Sequence, residues 1–302
     1  MANLSLFDLS GKKALVTGGA MGIGYACATA LAMGGADVAI IDLNEDMGNW
    51  AAESIRAMGC DAFFIQCDVS DKQQVQSMMD AVVTKFGRLD VAVNNAGICG
   101  SCAPDEEQDD TNWDKVSSVC LKGVWLCATA QAQQMKKQTP SGGKIINTAS
   151  IAGFDAHSDG VYSASKAGVI NLTRALAVRW GRFNINVNCF SPGVTMSPML
   201  AATTKEAREE VRKRTPLGHL LRPRDFRGPI LFLASDASNV ITGQNLVIDA
   251  GLMLTAFSGS GFGQDKPPRV PPRISPDEEL EDMKEELDAM GIAYDDDGVR
   301  VS

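Results

Sequence analysis

The stretch Lys13-Ala-Leu-Val-Thr-Gly-Gly-Ala-Met-Gly-Ile-Gly24 decides the fold of this chain, because it joins a short apolar run to a glycine-rich turn and then to a helical pattern. Gly18, Gly22 and Gly24 let the backbone turn tightly and approach a ligand closely. The helix that follows offers unpaired N–H groups and the positive end of its dipole, which together favour an anion. Such a turn also serves plain strand–helix packing, but its place between the first strand and the first helix indicates a dinucleotide pyrophosphate.

Outward from this stretch, short β-branched runs alternate with longer helical patterns from residue 13 to residue 250. The predicted strands cover residues 13–17, 37–42, 62–66, 91–94, 144–148, 185–190 and 245–249. The predicted helices lie around residues 25–33, 47–58, 72–86, 112–137, 162–180 and 225–234. This alternation predicts the α/β class, with a doubly wound, seven-stranded parallel sheet covered by helices on both faces.

A second motif supplies three polar side chains that can act on one carbonyl group. Tyr162 stands four residues before Lys166, so the two share a helix face, and Ser150 lies twelve residues upstream of the tyrosine. A free tyrosine, with a reference pKa of about 10, is too weak a base at neutral pH. A cation one turn away favours the phenolate and is expected to lower that pKa, which makes Tyr162 a usable proton donor and acceptor. The trio indicates hydride chemistry.

Acidic residues follow the second and third predicted strands. Asp42 comes eighteen residues after Gly24, where its carboxylate is expected to bind the hydroxyls of the adenosine ribose. A 2′-phosphate there would meet carboxylate repulsion, and no Arg or Lys lies in the glycine turn, so the sequence favours NAD over NADP. Asp68, followed by Val69, is placed to approach the adenine amino group. Both aspartates also suit a plain structural role as caps of the next helices.

In its motifs and their order the chain resembles the short-chain dehydrogenase/reductase family, whose members have a Rossmann fold. The resemblance runs from about Leu9 to Leu254. The motifs that carry it are Thr17-Gly-Gly-Ala-Met-Gly-Ile-Gly24, Asn94-Asn-Ala-Gly97, Ser150, Tyr162-Ser-Ala-Ser-Lys166, Ser191-Pro-Gly-Val-Thr195 and Ile241-Thr-Gly-Gln-Asn-Leu-Val-Ile-Asp-Ala-Gly251. Several independent motifs in the right order argue against a chance match.

The resemblance implies a role for each matching residue. Ser150 would steady the substrate oxygen, Tyr162 would transfer the proton, and Lys166 would lower the pKa of the tyrosine. The implied cofactor-binding residues are Gly18, Gly22, Ile23, Gly24, Asp42, Asp68, Val69, Asn95, Tyr162, Lys166, Pro192, Val194 and Thr195. No metal is implied. The implied assembly is a homotetramer or homodimer, built through the long helices after the fourth and fifth strands.

Within this set, the family resemblance also assigns each residue to a part of the cofactor. Ile23 would offer its backbone amide to the pyrophosphate, and Asn95 would line the adenosine side of the cleft. Asp68 and Val69 would hold the adenine, whereas Tyr162 and Lys166 would bind the nicotinamide ribose. The residues implied at the carboxamide end are Pro192, Val194 and Thr195.

One position departs from the family pattern. The family usually has an asparagine in the fourth helix, within a pattern like Val-Asn-Leu-Lys-Gly, and this chain reads Val119-Cys-Leu-Lys-Gly123. A thiol is not expected to replace that amide, whose implied part is to hold a helix distortion near Lys166. Cys120 is either a small buried apolar residue or a group with a chemical task of its own. We expect oxidoreduction to survive the change.

Length and composition fit one large domain followed by an appendage. The 302 residues are 45% apolar, which is enough for a single core of this class. Residues 258–263 are rich in glycine and serine, and residues 266–276 contain five prolines. We therefore expect a dinucleotide-binding catalytic domain at residues 1–254 and a Pro-rich, acidic C-terminal extension at residues 255–302.

One short helix is predicted inside this extension. Ser275 suits its cap, with Pro276 in the first turn and Glu278 three residues after the serine, and Gly291 suits its end. The apolar residues Leu280, Met283, Leu287 and Met290 recur at spacings of three and four. A helix of about 15 residues is marginal by itself. It is therefore either part of a solvated tail or docked on its own body, a sister subunit or another protein.

The charge is concentrated in the same extension. Residues 277–302 hold eleven acidic and two basic residues, a net charge of −9 that equals the net charge of the whole chain, so the remainder is neutral. This pattern argues against a nucleic-acid binder. The sequence shows no run approaching the roughly 18 apolar residues of a membrane span and no signal-peptide pattern at its start. The eight scattered cysteines suit reduced thiols, so we expect a cytoplasmic protein.

Three further features admit a functional and a plain interpretation. Cys99 and Cys102 have C-x-x-C spacing but lack the second ligand pair that zinc needs, so they suit ordinary loop thiols. His157 lies between Ser150 and Tyr162 and would either orient a substrate hydroxyl or face solvent. A basic stretch would either attract an anionic substrate or form a solvated helix face; it contains Arg208, Arg212, Lys213 and Arg214.

The leading interpretation is an NAD-dependent enzyme that interconverts a secondary alcohol and a ketone by hydride transfer. Residues 194–224, with several methionines, are expected to form a mobile lid with an apolar wall over a small-molecule substrate. One alternative keeps the pocket for isomerisation, dehydration or cyclisation, with Cys120 as its hint. Another is a cofactor-binding scaffold or regulatory protein whose acidic tail contacts a partner. The intact Ser150, Tyr162 and Lys166 argue against both alternatives.

Overall fold

A computed structural model describes residues 5–101, 103–154, 159–200, 203–255, 275–289 and 291. Seven strands form one sheet: β1 (Lys13–Thr17), β2 (Asp37–Asp42), β3 (Ala62–Gln66), β4 (Val91–Asn94), β5 (Gly143–Thr148), β6 (Ile185–Pro192) and β7 (Asn245–Ile248). The α-helices of these residues are α1 (Gly22–Met33), α2 (Glu45–Ala57), α3 (Lys72–Phe86), α4 (Asp110–Ser117), α5 (Val124–Lys137), α6 (Gly160–Trp180), α7 (Lys205–Arg214), α8 (Arg227–Ala234) and α9 (Pro276–Ala289).

The sheet is parallel throughout and has the strand order β3-β2-β1-β4-β5-β6-β7. The chain builds outward from β1 to β3 on one side and from β4 to β7 on the other. The order therefore reverses between β1 and β4, and ligands of open α/β sheets bind beyond the carboxyl ends of the strands at such a point. The doubly wound, seven-stranded Rossmann-type fold predicted from the alternation is confirmed.

Both faces of the sheet are buried, as alternation along a single strand shows. In β2, Val38 and Ile40 belong to a core cluster with apolar residues of α1, α2 and α8. Ala39 and Ile41 of the same strand belong to a second cluster with residues of α3, α5 and α6. Successive side chains of a strand point to opposite faces, so a strand buried on both faces is apolar at every position.

The long helix predicted over residues 112–137 is interrupted, which corrects the sequence interpretation. Helices α4 and α5 are separated by a π-helical segment at Ser118–Gly123, where the hydrogen-bonded turn contains an extra residue. The apolar pattern does not reveal this segment, because its contacts come from residues distant in the chain. A further helix, α7, lies inside the predicted lid and is capped by the Thr204 side chain, which accepts from the Ala207 N–H at 3.3 Å.

Helix α9 of the C-terminal extension starts as its sequence predicts. The Ser275 Oγ accepts from the Glu278 N–H at 3.2 Å, and the Glu278 carboxylate accepts from the Ser275 N–H at 2.7 Å, which is a capping box. The helix is docked on its own chain, since Met283 and Leu287 are fully buried. Residues 256–274 of the predicted extension, and the predicted stripe residue Met290, lie outside the described residues.

Membrane-spanning helices and metal-binding clusters are two features that the described residues lack. No helix among them combines the length and the apolar character needed to cross a bilayer. No cluster of three or more His, Cys, Asp or Glu side chains suited to a metal ion is found among them.

Candidate active site

The glycine turn between β1 and α1 forms a cradle that only glycine permits. Gly18 and Gly22 have positive φ angles of 61° and 55°. A Cβ atom on Gly24 would lie 1.8 Å from the Gly18 carbonyl oxygen and 2.5 Å from the Asn95 Nδ2. Met21, at the N-cap of α1, has no side-chain oxygen to accept from the first N–H groups of the helix, including that of Ile23. The turn therefore brings backbone N–H groups and the positive helix end together, which suits a pyrophosphate.

Asp42, at the end of β2, lies directly beside this cradle. Its Oδ2 accepts from the Ala20 N–H at 3.1 Å, and its Oδ1 accepts from the N–H groups of Leu43 at 2.8 Å and Asn44 at 3.1 Å. The cap of α2 is Asn44 and not Asp42, because the Asn44 Oδ1 accepts from the Met47 N–H at 3.1 Å. The Asp42 carboxylate is thus a fixed negative charge at the glycine turn.

Asp68 and Val69 follow β3 at the same edge of the sheet. The Asp68 Oδ1 accepts from the N–H and the hydroxyl of Ser70 at 2.8 and 2.7 Å, which fixes the local turn. The predicted alternative role of Asp68 as a helix cap belongs to Asp71, whose carboxylate accepts from the first N–H groups of α3. Val69 is 6% exposed and lies beside Gly123, whose added Cβ would come within 2.9 Å of the valine Cγ2.

Asn95 connects β4 to both neighbouring strand ends. Its Nδ2 donates to the Gly18 carbonyl oxygen at 3.0 Å, and its Oδ1 accepts from the Thr148 hydroxyl at 3.3 Å. Its own N–H donates to the Thr17 Oγ1 at 3.1 Å. Because these bonds reach β1 and β5, Asn95 holds the glycine turn in register with the strand that leads to Ser150.

Ser150, Tyr162 and Lys166 come together beyond the carboxyl ends of β4 and β5. Ser150 follows β5 and its Oγ accepts from the Ala152 N–H at 3.1 Å. Helix α6 is capped by Asp159, which accepts from the Tyr162 N–H at 2.6 Å, so the tyrosine lies in the first turn. The Lys166 Nζ lies 5.5 Å from the centroid of the Tyr162 ring.

The expected direction of the Tyr162 pKa is wrong for the chain without a cofactor. Burial raises the pKa of the Tyr162 phenol, the neighbouring Cys120 adds to the rise, and a hydrogen bond with Ser150 acts in the opposite direction. Burial also lowers the pKa of the Lys166 ammonium. Both shifts have one cause, since removal from water disfavours the charged form of each group. The spacing of four residues predicted proximity but not this cost of desolvation.

Cys120 lies in the π-helical segment, buried next to the trio. Its Sγ accepts from the Ile98 N–H at 3.4 Å and donates to the Ile98 carbonyl oxygen at 3.3 Å. A Cβ added to Gly97 would lie 3.6 Å from the Lys166 Nζ and 3.7 Å from the Cys120 Sγ. The expectation that a thiol does not replace the amide stays a prediction. The helix distortion is present, and the thiol contacts the N–H and the carbonyl oxygen of one residue, Ile98, near Lys166.

A buried polar network behind the site was missed by the sequence analysis. The Asn94 Nδ2 donates to the Gln131 Oε1 and to the Asn147 Oδ1, both at 3.0 Å, and the Gln131 Nε2 donates to the Asn94 Oδ1 at 2.7 Å. The Asn147 Nδ2 continues the chain to the Thr173 hydroxyl at 3.0 Å. All four side chains are buried, so their pairing fixes the ends of β4 and β5 against α5 and α6. The only sign of this network in the sequence is a polar residue within an otherwise apolar strand, such as Asn94 in β4.

Pro192, Val194 and Thr195 lie where β6 leads into the lid. The Thr195 hydroxyl donates to the Gly193 carbonyl oxygen at 2.9 Å, and Thr195 forms an isolated parallel bridge with Leu221. The described part of the predicted lid, which lacks residues 201 and 202, continues through α7 and returns to this bridge. The bridge thus joins the two ends of the lid to each other beside the three residues predicted to bind the carboxamide.

The remaining candidates are distributed between the surface and the undescribed residues. Cys99 is exposed, whereas Cys102 and His157 lie outside the described residues. In α7, Arg212 pairs with Glu209 and with Glu279 of α9, and Lys213 pairs with Glu210 at 2.6 Å. Arg212 and Lys213 therefore contact acidic groups of the same chain.

Comparison with known proteins was consistent with this geometry. Residues 18–253 match the family described as enoyl-(acyl carrier protein) reductase. The chain is 39% identical to cis-4-hydroxycyclohexanecarboxylate dehydrogenase of Sinomonas cyclohexanicum, over 79% of this chain and 95% of that enzyme.

Two solved structures are also similar. A short-chain type dehydrogenase/reductase from Mycobacterium marinum is 37% identical and has a TM-score of 0.77, over 82% of this chain and 98% of that one. The NADPH-dependent 3-quinuclidinone reductase of Rhodotorula rubra is 33% identical, with a TM-score of 0.76, over 84% of this chain and 97% of that one. The chain thus belongs to the short-chain dehydrogenase/reductase family of oxidoreductases.

Proposed function

We propose that this protein interconverts a secondary alcohol and a ketone, with NAD as the cofactor and Tyr162 as the acid/base. The observation that carries the proposal is the convergence of Ser150, Tyr162 and Lys166 beside the switch point of the sheet. A phenol that is hydrogen-bonded to a serine, and whose ring centroid lies 5.5 Å from an ammonium, can exchange a proton with a substrate oxygen.

The residues around the glycine turn fit a dinucleotide. Gly24 lets the start of α1 pack closely against Gly18, where a Cβ atom would clash with the Gly18 carbonyl oxygen, and the start of α1 supplies N–H donors and a positive dipole. The proposed binding residues are Gly18, Gly22, Ile23, Gly24, Asp42, Asp68, Val69, Asn95, Tyr162, Lys166, Pro192, Val194 and Thr195. The nicotinamide, when bound, supplies the acceptor or donor of a hydride.

NAD is proposed over NADP because of the charge at Asp42. Its carboxylate accepts from the Ala20 N–H of the glycine turn, so it is fixed beside the expected position of the adenosine ribose. A ribose diol can donate hydrogen bonds to a carboxylate, whereas a 2′-phosphate is repelled by it.

In this proposal each residue of the trio has one task. Ser150 donates a hydrogen bond to the substrate oxygen, where charge changes during the reaction. Tyr162 gives its proton to that oxygen during reduction and takes it back during oxidation. Lys166, held by its bond to the Thr148 carbonyl oxygen at 2.9 Å, keeps a positive charge close to the phenol and favours the phenolate when the tyrosine loses its proton.

We further propose a homo-oligomer with α4, α5 and α6 at the interface between copies. Trp113 and Trp125 are 55% and 46% exposed and line one groove with Leu121 and Leu172. An exposed apolar patch of this kind is typical of a protein interface.

We also propose a cytoplasmic location, since buried cysteines such as Cys27 and Cys127 are thiols. A domain boundary is proposed between residues 254 and 255.

The test is the absorbance of the reduced nicotinamide followed with both cofactors across a panel of alcohols and ketones. The panel includes cis-4-hydroxycyclohexanecarboxylate and 3-quinuclidinone, the compounds that two relatives are named for. Turnover with NAD in at least one substrate pair supports the proposal. Tight NADH binding without turnover of any panel member would favour a cofactor-binding scaffold instead.

A further inference from the structure

Helix α9 covers the lid of the candidate active site. Its Met283 and Leu287 are fully buried in a cluster with Met196 and Leu220 of the lid, and Val194 packs against the same cluster. One of these residues, Val194, belongs to the proposed carboxamide-binding segment. The extension therefore continues the apolar core of the lid and does not simply lie on its surface.

The central contact is made by Glu279, whose side chain is fully buried. Its Oε1 accepts from the Leu220 N–H at 2.8 Å, and its Oε2 is paired with the Arg212 guanidinium of α7. A buried carboxylate is stable only when its oxygens are matched by donors and a positive charge. Both requirements are met here by lid atoms, so the position of α9 is coupled to the lid.

Two more backbone bonds transmit this contact toward the cofactor site. Leu221, the neighbour of Leu220, donates its N–H to the Val194 carbonyl oxygen at 3.1 Å. The Leu221 carbonyl oxygen accepts from the Met196 N–H at 2.7 Å. Glu279 thus fixes one side of a short backbone pairing whose other side is the segment from Val194 to Met196.

Helix α9 is a feature of this chain beyond the family pattern. The family match ends at residue 253, and about four fifths of this chain covers 95% of one relative and 98% of one solved structure. Charge also favours this docking. Residues 277–302 carry a net charge of −9, and residues 194–224 of the lid hold seven basic and three acidic side chains. Opposite charges on the two segments attract one another.

We propose that Glu279 is a positioning residue that holds the lid and the segment from Val194 to Met196 in place, and thereby slows the release of NADH. This inference rests on the proposed function, because it assumes that the segment contacts the nicotinamide end of the cofactor. The glutamate itself touches neither substrate nor cofactor. It acts through Leu220 and Arg212 on groups that do.

The test uses the full chain with NADH as the probe. Release is followed in a stopped-flow experiment as the loss of NADH fluorescence when excess NAD⁺ displaces it. Glu279→Gln keeps the size of the side chain and an acceptor for the Leu220 N–H but removes the charge that pairs with Arg212. Glu281→Gln is the matched control, since it removes one exposed negative charge from the same helix.

We expect NADH release from Glu279→Gln to be at least about fivefold faster than from the wild type, which corresponds to about 1 kcal/mol, while Glu281→Gln releases NADH at the wild-type rate. Glu279→Asp, which keeps the charge, should restore part of the difference. Equal release rates for Glu279→Gln and the wild type would overturn the role of Glu279. Failure of the wild type to bind NADH would instead contradict the proposed function, and this inference with it.

A second variant covers the case in which Glu279→Gln does not fold. Arg212→Gln removes the other half of the ion pair and should also speed NADH release. Where Glu279→Gln, Arg212→Gln and the double variant all fold, the double variant should release NADH no faster than the faster single variant. The reason is that both changes break the same ion pair. Wild-type release from Arg212→Gln would overturn the coupling between α9 and the lid.

Discussion

The Lys166 Nζ donates a hydrogen bond to the main-chain oxygen of Thr148 at 2.9 Å. This bond ties helix α6 to the end of β5, and it fixes the ammonium beside the Tyr162 ring through a main-chain acceptor. Ser150 follows Thr148 by two residues, so one strand end positions both the cation and the serine. The candidate site is therefore organised by backbone that the sheet already holds rigid.

Removal of the Tyr162 hydroxyl should reduce turnover far more than it weakens cofactor binding. Tyr162→Phe keeps the ring but leaves no proton donor, so we expect kcat to fall by about 10² to 10⁴. NADH affinity, measured by fluorescence titration, should fall by a much smaller factor, because Tyr162 is only one of the proposed cofactor-binding residues. Tyr25→Phe is the control, because it removes a hydroxyl from a tyrosine outside the trio that packs against Trp50. Comparable turnover in Tyr162→Phe and the wild type would refute the acid/base assignment.

The titration of Tyr162 should depend on the cofactor. Burial raises the pKa of the phenol in the free chain. Tyr162 should therefore remain protonated at pH values above the ordinary tyrosine pKa of about 10. The folded chain then holds a proton that the unfolded chain has lost, and this group lowers the free energy of unfolding as the pH rises above about 10.

Phenolate absorbance measures this pKa, with Tyr162→Phe as the reference for the other tyrosines. Bound NAD⁺ brings a positively charged nicotinamide, so it should lower the pKa of Tyr162 relative to the free chain. NADH, which lacks that charge, is the control. A phenol that titrates below pH 10 without cofactor would contradict the effect of burial.

Cys120 should tolerate replacement by asparagine better than by alanine. An amide can accept from the Ile98 N–H and donate to its carbonyl oxygen, as the thiol does, so Cys120→Asn should keep or raise kcat. Cys120→Ala leaves both Ile98 atoms without their partner, which should cost about 1 to 3 kcal/mol of unfolding free energy. Steady-state kinetics and denaturant unfolding measure the two effects. Loss of activity in Cys120→Asn would show that the thiol has a chemical task of its own.

The preference between NAD and NADP should depend on the charge of Asp42. Asp42→Asn retains an oxygen that can accept from the Ala20 N–H but removes the negative charge. We expect kcat/KM for NADP to rise about tenfold or more, and kcat/KM for NAD to fall by a smaller factor. Asp46→Asn, in the first turn of α2, is a control for a general change of charge. An unchanged ratio between the cofactors would place the discrimination elsewhere.

The groove between α4, α5 and α6 should mark the contact between copies of the chain. Trp125→Glu puts a charge on a 46% exposed apolar side chain, so it should shift the oligomer toward monomer in light scattering at micromolar concentration. Val240→Glu, at a residue that is 96% exposed and outside the groove, is the control. An unaltered mass for Trp125→Glu would argue against this interface.

Local sequence signals predicted the strands of the sheet with good accuracy. Strand periodicity, the glycine turn after β1 and the capping box at Ser275 each depend on residues within a few positions of one another. Such patterns determine local backbone geometry, and the order of the elements then limits a parallel sheet to few topologies. The spacing of Tyr162 and Lys166 placed both on one helix face for the same reason.

Contacts between distant residues were not predictable in this way. The partner of Cys120 is Ile98, 22 residues away, and the partner of Glu279 is Leu220, 59 residues away. The π-helical segment and the docking of α9 follow from these contacts. The apolar periodicity of a sequence does not show which surfaces pack together, because that packing depends on shape and charge over the whole chain.

By itself, the sequence determined the class of fold, the position of the glycine turn between the first strand and the first helix, and which side chains are available for chemistry. Only the tertiary structure decided the direction of the Tyr162 pKa and the residue that the acidic extension contacts. The physical reason is desolvation. The groups packed around a phenol, an ammonium or a carboxylate exclude water and thereby set the free energy of its charged form. Those groups are assembled only when the chain folds.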